Sequence, residues 1–247
     1  MRDSLKDDQY WEKFISTCDE MIEAVREEYN EGNLSPEACM EATATMRSES
    51  FEKMSAIYSA GFSFDRVRPM FSFAVSGLAE FFHCSRQWPD FAREQFFFPY
   101  NERTRYLALA ILFNADRETV DKIVEAVDFW PGKDAIWEKM IAYLGVTDRE
   151  PVETIQWPEA YESLWHCFIC PQGDRPAQLK YFVENWYKEM KKGDEAWVDS
   201  HNNKHDVYFG YWCFEAAGVA KMLDIDDSAL KDHPHYPYDL VHPELEG

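Results

Sequence analysis

The sequence predicts an all-α fold: a multi-helix, bundle-like protein of two packed helical subdomains with no substantial β-sheet. Three observations carry that expectation. Apolar residues recur at steps of three and four, breaks fall at glycine, proline and helix-capping residues, and no stretch alternates with the two-residue period of a strand. With 247 residues, the chain is long enough to bury a sizeable core in one or two domains.

The first helix follows from Trp11, Phe14, Ile15, Cys18, Met21, Ile22 and Val25, which form one stripe and leave Asp19, Glu20, Glu23, Glu27 and Glu28 mainly outward. Gly32-Asn33 ends it. Ser35-Pro36-Glu37 starts the second, with serine as cap, proline at the first position and an acid near the positive end of the dipole. That helix should stop at Gly61. A third runs from Asp65 to Phe82, with Pro69 in its first turns, where a missing N–H costs little.

Residues 86–102 are aromatic and broken by Pro89 and Pro99, which suits a packed connection or a short helix. Helices follow at 103–113, at 118–129 behind Asp116, and at 134–144 after the Trp130-Pro131-Gly132 turn. Others are expected near 157–169, 176–191 and 208–223, with a short one near 227–232. The polar stretch 146–151 marks a possible boundary within the chain, and the two subdomains are placed at 1–129 and 130–247.

The formal net charge is −21, from 46 acidic and 25 basic residues. The excess sits at the ends, −8 in residues 1–60 and −10 in residues 151–247, against −3 between them. Such a field repels nucleic acid and anionic membrane and speeds encounter with a basic partner. Acidity for solubility alone is the plainer reading. The first twenty residues carry charges where a signal peptide needs an apolar core, and no apolar run reaches the ~18–20 residues of a membrane span. The six scattered cysteines suit reduced, buried thiols. Together these features place the protein in the cytoplasm.

Few residues have the pattern of a catalytic site. His166, Cys167 and Cys170 lie in an apolar helical run with no second CxxC, and His201 and His205 sit in a polar loop, so neither group completes a metal site. No nucleophile elbow, phosphate-binding loop or dinucleotide fingerprint occurs. The expectation is a non-enzyme with no cofactor and no metal; a metal-dependent enzyme using the C-terminal histidines is the alternative, as is a generic acidic module for another basic protein.

Two features stand out. Glu215 lies among Trp212, Cys213, Phe214 and Ala216, where a charge needs a partner. It reads as a structural buried acid, with Ala216-Ala217-Gly218 allowing another helix to approach. The segment 193–206 reads as a solvated connector or as a contact loop with an aromatic anchor in a polar ring. In the second case the partner-binding residues are Asp194, Glu195, Trp197, Asp199, His201, Asn202 and Asp206.

The block Tyr208-Phe-Gly-Tyr-Trp-Cys-Phe-Glu-Ala-Ala-Gly, then Leu-Asp-Ile-Asp-Asp and Lys231-Asp-His-Pro-His-Tyr-Pro-Tyr-Asp-Leu, resembles the C-terminal domain of the PoNi family. The resemblance covers roughly residues 130–243, and the N-terminal half matches by helical type. PoNi proteins are immunity proteins encoded beside PoNe-type DNase toxins of polymorphic and type VI secretion systems. The resemblance implies a bacterial cytoplasmic inhibitor of one cognate DNase, its partner being a basic nuclease domain, with no direct contact to nucleic acid or membrane. Inhibition could act by plugging the active site or at a neighbouring surface.

Overall fold

The computed structural model describes residues 1–32, 34–193 and 195–243. Among these it contains eleven α-helices and no strand. They are α1 (Asp8–Asn30), α2 (Pro36–Ser59), α3 (Phe64–Gln87), α4 (Pro89–Gln95), α5 (Tyr100–Leu112), α6 (Arg117–Phe129), α7 (Ala135–Tyr143), α8 (Pro158–Ile169), α9 (Arg175–Lys192), α10 (Phe214–Leu223) and α11 (Tyr238–Val241). No described helix is long and apolar enough to cross a membrane.

The chain forms two compact units. The first comprises Met1–Phe98, Asp121–Trp130 and Asp199–Gly210, and the second Pro99–Val120, Pro131–Val198 and Tyr211–Gly247.

In the first unit α2 packs between α1 and α3. Asp7 opens α1 by accepting from the Tyr10 amide at 2.9 Å, one turn before the apolar stripe begins. Trp11, Phe14, Cys18 and Ile22 are the buried edge of that stripe. Ser35 caps α2 through the Ala38 amide, and Gly61, at φ 87°, closes its far end. α2 and α3 approach closely at Gly77, where a Cβ would lie 2.8 Å from the Met46 carbonyl. The aromatic segment after α3 forms α4 and then a turn without helix; Phe98 is fully buried, with Arg47 over its ring.

The second unit is built on α5, whose residues from Asn101, Glu102 excepted, are buried through Leu112. α10 lies directly against it, with α7 alongside and α8 paired to α9. A Cβ at Gly218 would sit 2.7 Å from the Ala108 methyl, so the small residue sets the α5–α10 spacing. Asp134, fully buried, caps α7 by accepting from Ile136 N–H and also ties in the Gln156 amide at 2.7 Å. Burial raises its carboxyl pKa above the ordinary value, against the pull of those amides.

Two expectations from the sequence require correction. The 208–223 helix starts only at Phe214. Tyr208 to Cys213 is extended because its backbone bonds elsewhere: the Tyr10 hydroxyl donates to Tyr208 C=O and accepts from its N–H, both at 2.9 Å. Phe209 C=O accepts from Ser59, Cys213 N–H donates to His235 C=O, and Gly210 takes φ 104°. The expected helix at 227–232 is a single 3₁₀ turn at Ser228–Leu230.

Candidate functional site

Glu215 has no solvent exposure and sits one residue inside α10. Its Oε1 accepts from the Tyr161 hydroxyl at 3.0 Å and from the Trp186 indole at 3.3 Å, and lies 3.7 Å from Arg105 Nε. α8, α9 and α5 thus each send one polar group to the same carboxylate. Burial, and then the Glu215 charge, push both the Tyr161 phenol and the Cys213 thiol well above their usual range. A tyrosine held so firmly protonated serves as a donor. The arrangement is a polar cluster whose four members are all buried.

Arg105 carries a second layer. Its guanidinium lies 4.7 Å from the centre of the Trp197 ring, which stacks on Trp186 at 5.2 Å. Tyr187, Tyr211 and His235 extend that aromatic cluster. Glu195 turns inward as well: its carboxylate accepts from Asn101 Nδ2 at 2.8 Å. Burial raises its pKa, opposed by Arg105 and the Asn101 bond.

The loop residues picked out from sequence are therefore divided. Glu195 and Trp197 are half-buried in the second unit; Asp199, His201, Asn202 and Asp206 belong to the first. Asp199 adopts the left-handed conformation at φ 59° and opens a 3₁₀ turn over Ser200–Asn202. His201 packs edge-on to Tyr208. Asn202 is exposed, and exposed Asp206 pairs with Lys13 at 2.6 Å. Asp194 lies outside the described residues.

The C-terminal histidines play separate parts. His235 is a stacking ring, and His242 Nε2 meets the buried Asp227 carboxylate at 2.7 Å, beside the Tyr236 hydroxyl at 2.6 Å. Cys167 is buried in α8, where burial raises its thiol to about 12. Among the described residues no three His, Cys, Asp or Glu side chains gather closely enough to hold a metal ion.

Sequence reasoning missed the partners of Glu215. Arg103 and Arg105 precede the apolar run Tyr106–Leu112, and both are buried there. Arg103 lies over the Trp137 ring, and burial lowers its pKa to about 10. Two arginines leading into an apolar helix were the available signal for a buried acid elsewhere.

Two clefts of the second unit lie along α8. A cleft of about 470 Å³ separates α8 from α9 and is lined by Glu159, Glu162, His166 and Tyr181. A second, of about 560 Å³, runs on its other side beside Trp165, Phe168 and Ile169.

The chain was compared with known families and solved structures. Residues 132–240 match the family model described as PoNe immunity proteins (PoNi), C-terminal. The fold is similar to the crystal structure of protein PA2201 from Pseudomonas aeruginosa, with a TM-score of 0.70 at 20% identity, over 98% of this chain and 89% of that one. At that identity the likeness speaks for the fold. No functionally curated protein matches.

Proposed function

We propose, from the PoNi C-terminal match over residues 132–240, that this chain is an immunity protein that binds and inhibits a cognate PoNe nuclease toxin. That match is the observation that carries the reading. Charge supports it: a nuclease must be cationic where it grips phosphates, and this chain has a net charge of −21. Acidic side chains compete with DNA for the same cationic groups. Steering can also bring association to about 10⁸–10⁹ M⁻¹s⁻¹ at low salt, which matters when few toxin molecules suffice to kill.

The inhibitor acts in the cytoplasm, where the toxin meets chromosomal DNA, and the toxin is one delivered between bacteria by a type VI or related secretion system. Acidic surface covers the DNA-binding and catalytic face of the nuclease. Of the loop residues singled out from sequence, Asn202 and Asp206 are exposed, Asp206 in a pair with Lys13. Glu195 and Trp197 hold the loop to the interior, and Glu215 is a structural acid.

The test is protection in cells. Expression of the PoNe nuclease from the same genome should kill a bacterial host and fragment its DNA, and co-expression of this chain should restore growth. Unrelieved killing at matched expression would overturn the reading.

A further inference from the structure

We propose that the outer face of α8 is the surface on which the cationic face of the nuclease docks; this rests on the inhibitor reading above and assigns it a place. α8 has an open cleft along each side. It carries two glutamates and a histidine but no lysine or arginine.

The surface has an apolar centre within an acidic rim. Trp165 and Phe168 stack at 5.7 Å, partly exposed, and Ile169 beside them is 58% exposed. Across the helix, Tyr181 is 61% exposed. Isolated exposed apolar residues are ordinary, but here Trp165, Phe168 and Ile169 gather on one cleft and Tyr181 opens onto the other. Trp and Tyr are the residue types that dominate binding energy when a partner excludes water from them, and each cleft carries one.

The rim identifies the occupant. Glu153, Glu159 and Glu162 are exposed and have no ion-pair partner among the described residues. Nearby acids are neutralised within the fold: Glu138 by Arg149 at 2.5 Å, and Glu189 by Lys192 at 2.7 Å. The uncompensated charge therefore borders the α8–α9 cleft, which no lysine or arginine lines, whereas exposed Lys139 sits opposite Glu153 on the other. A second copy of this acidic chain would place like charges together, whereas arginines and lysines of a phosphate-binding surface satisfy the glutamates and lie over the Tyr181 ring.

The test uses the full chain and the PoNe nuclease domain from the same genome, inactive for binding and active for inhibition. Glu159→Lys with Glu162→Lys should weaken binding by about a hundredfold, mostly through slower association, and lower its salt dependence. Ile169→Glu and Tyr181→Ala, both exposed, should each weaken it about tenfold. The same charge change on α1, Glu20→Lys with Glu23→Lys, should alter affinity less than about threefold, because it leaves the docking face intact. Matching thermal melts of all variants exclude misfolding.

Wild-type affinity in the α8 variants, or equal loss in the α1 control, would overturn the docking site while inhibition by the wild type upheld the broader reading. Failure of the wild-type chain to bind would sink both. A self-association that Ile169→Glu abolishes, with nuclease binding unchanged, would assign the patch to a second copy and also refute the proposal.

Discussion

Replacing Glu215 by alanine should destabilise the second unit by about 3–5 kcal/mol, because it strands one buried charge and two buried donors. Arg105 lies 3.7 Å from the carboxylate and is 4% exposed; at an effective dielectric near 20, their attraction is ~4 kcal/mol before desolvation. Tyr161 and Trp186 lose their acceptor in the same step, and each unsatisfied donor costs about 1–3 kcal/mol unless water enters. The contributions overlap, since relaxation that hydrates one group relieves the others. Glu215→Gln keeps an acceptor for both donors and should cost about 1–3 kcal/mol less than alanine. The diagnostic variant is Arg105→Met with Glu215→Leu, which removes both charges. It should be more stable than the sum of the single losses by at least ~2 kcal/mol. Urea titration followed by circular dichroism measures each. A loss under ~1 kcal/mol in Glu215→Ala, or strict additivity in the double variant, would refute the polar core as described.

Gly218→Ala should lower stability by about 1–3 kcal/mol, since the added carbon meets the Ala108 backbone at 2.8 Å and helix α5 must shift. Gly173→Ala, with open space around the new methyl, should be near neutral, and equal melting shifts in the two would contradict the spacing argument. Glu195 should make stability fall with rising pH. Burial raises its folded pKa above the ordinary 4.5, so the folded state keeps a proton that the unfolded chain releases, and this contribution is lost as pH rises through the folded value. Urea midpoints across that window should show a shallower slope for Glu195→Gln; identical slopes would refute it.

Helical class and most helix positions were legible because caps and apolar periodicity act locally. Asp116 and Asp134 bond to the first amides of their helices, and Ser35 does the same for α2. The extended run at Tyr208 was illegible because its backbone partners, Tyr10 and Ser59, lie some 150 to 200 residues away. An apolar run with unpaired backbone would become helix; here distant hydroxyls satisfy it first. Glu215 drew attention as a charge among apolar residues, but the convergence of Arg105, Tyr161 and Trp186 depends on how three helices cross. Trp197 shows the reverse error of scale: its loop is polar in sequence, yet its ring stacks inward because Trp186 and Arg105 present a face for it. The α8 surface had no sequence signature, since an exposed Ile169 looks like a buried one until packing leaves it uncovered.

Inhibition is read directly when purified chain is titrated into a PoNe nuclease from the same genome while plasmid cleavage is followed. Cleavage should fall linearly and stop near one inhibitor per nuclease, with weaker inhibition as salt rises. Undiminished cleavage in the presence of excess chain, with both proteins folded, would contradict the inhibitor reading.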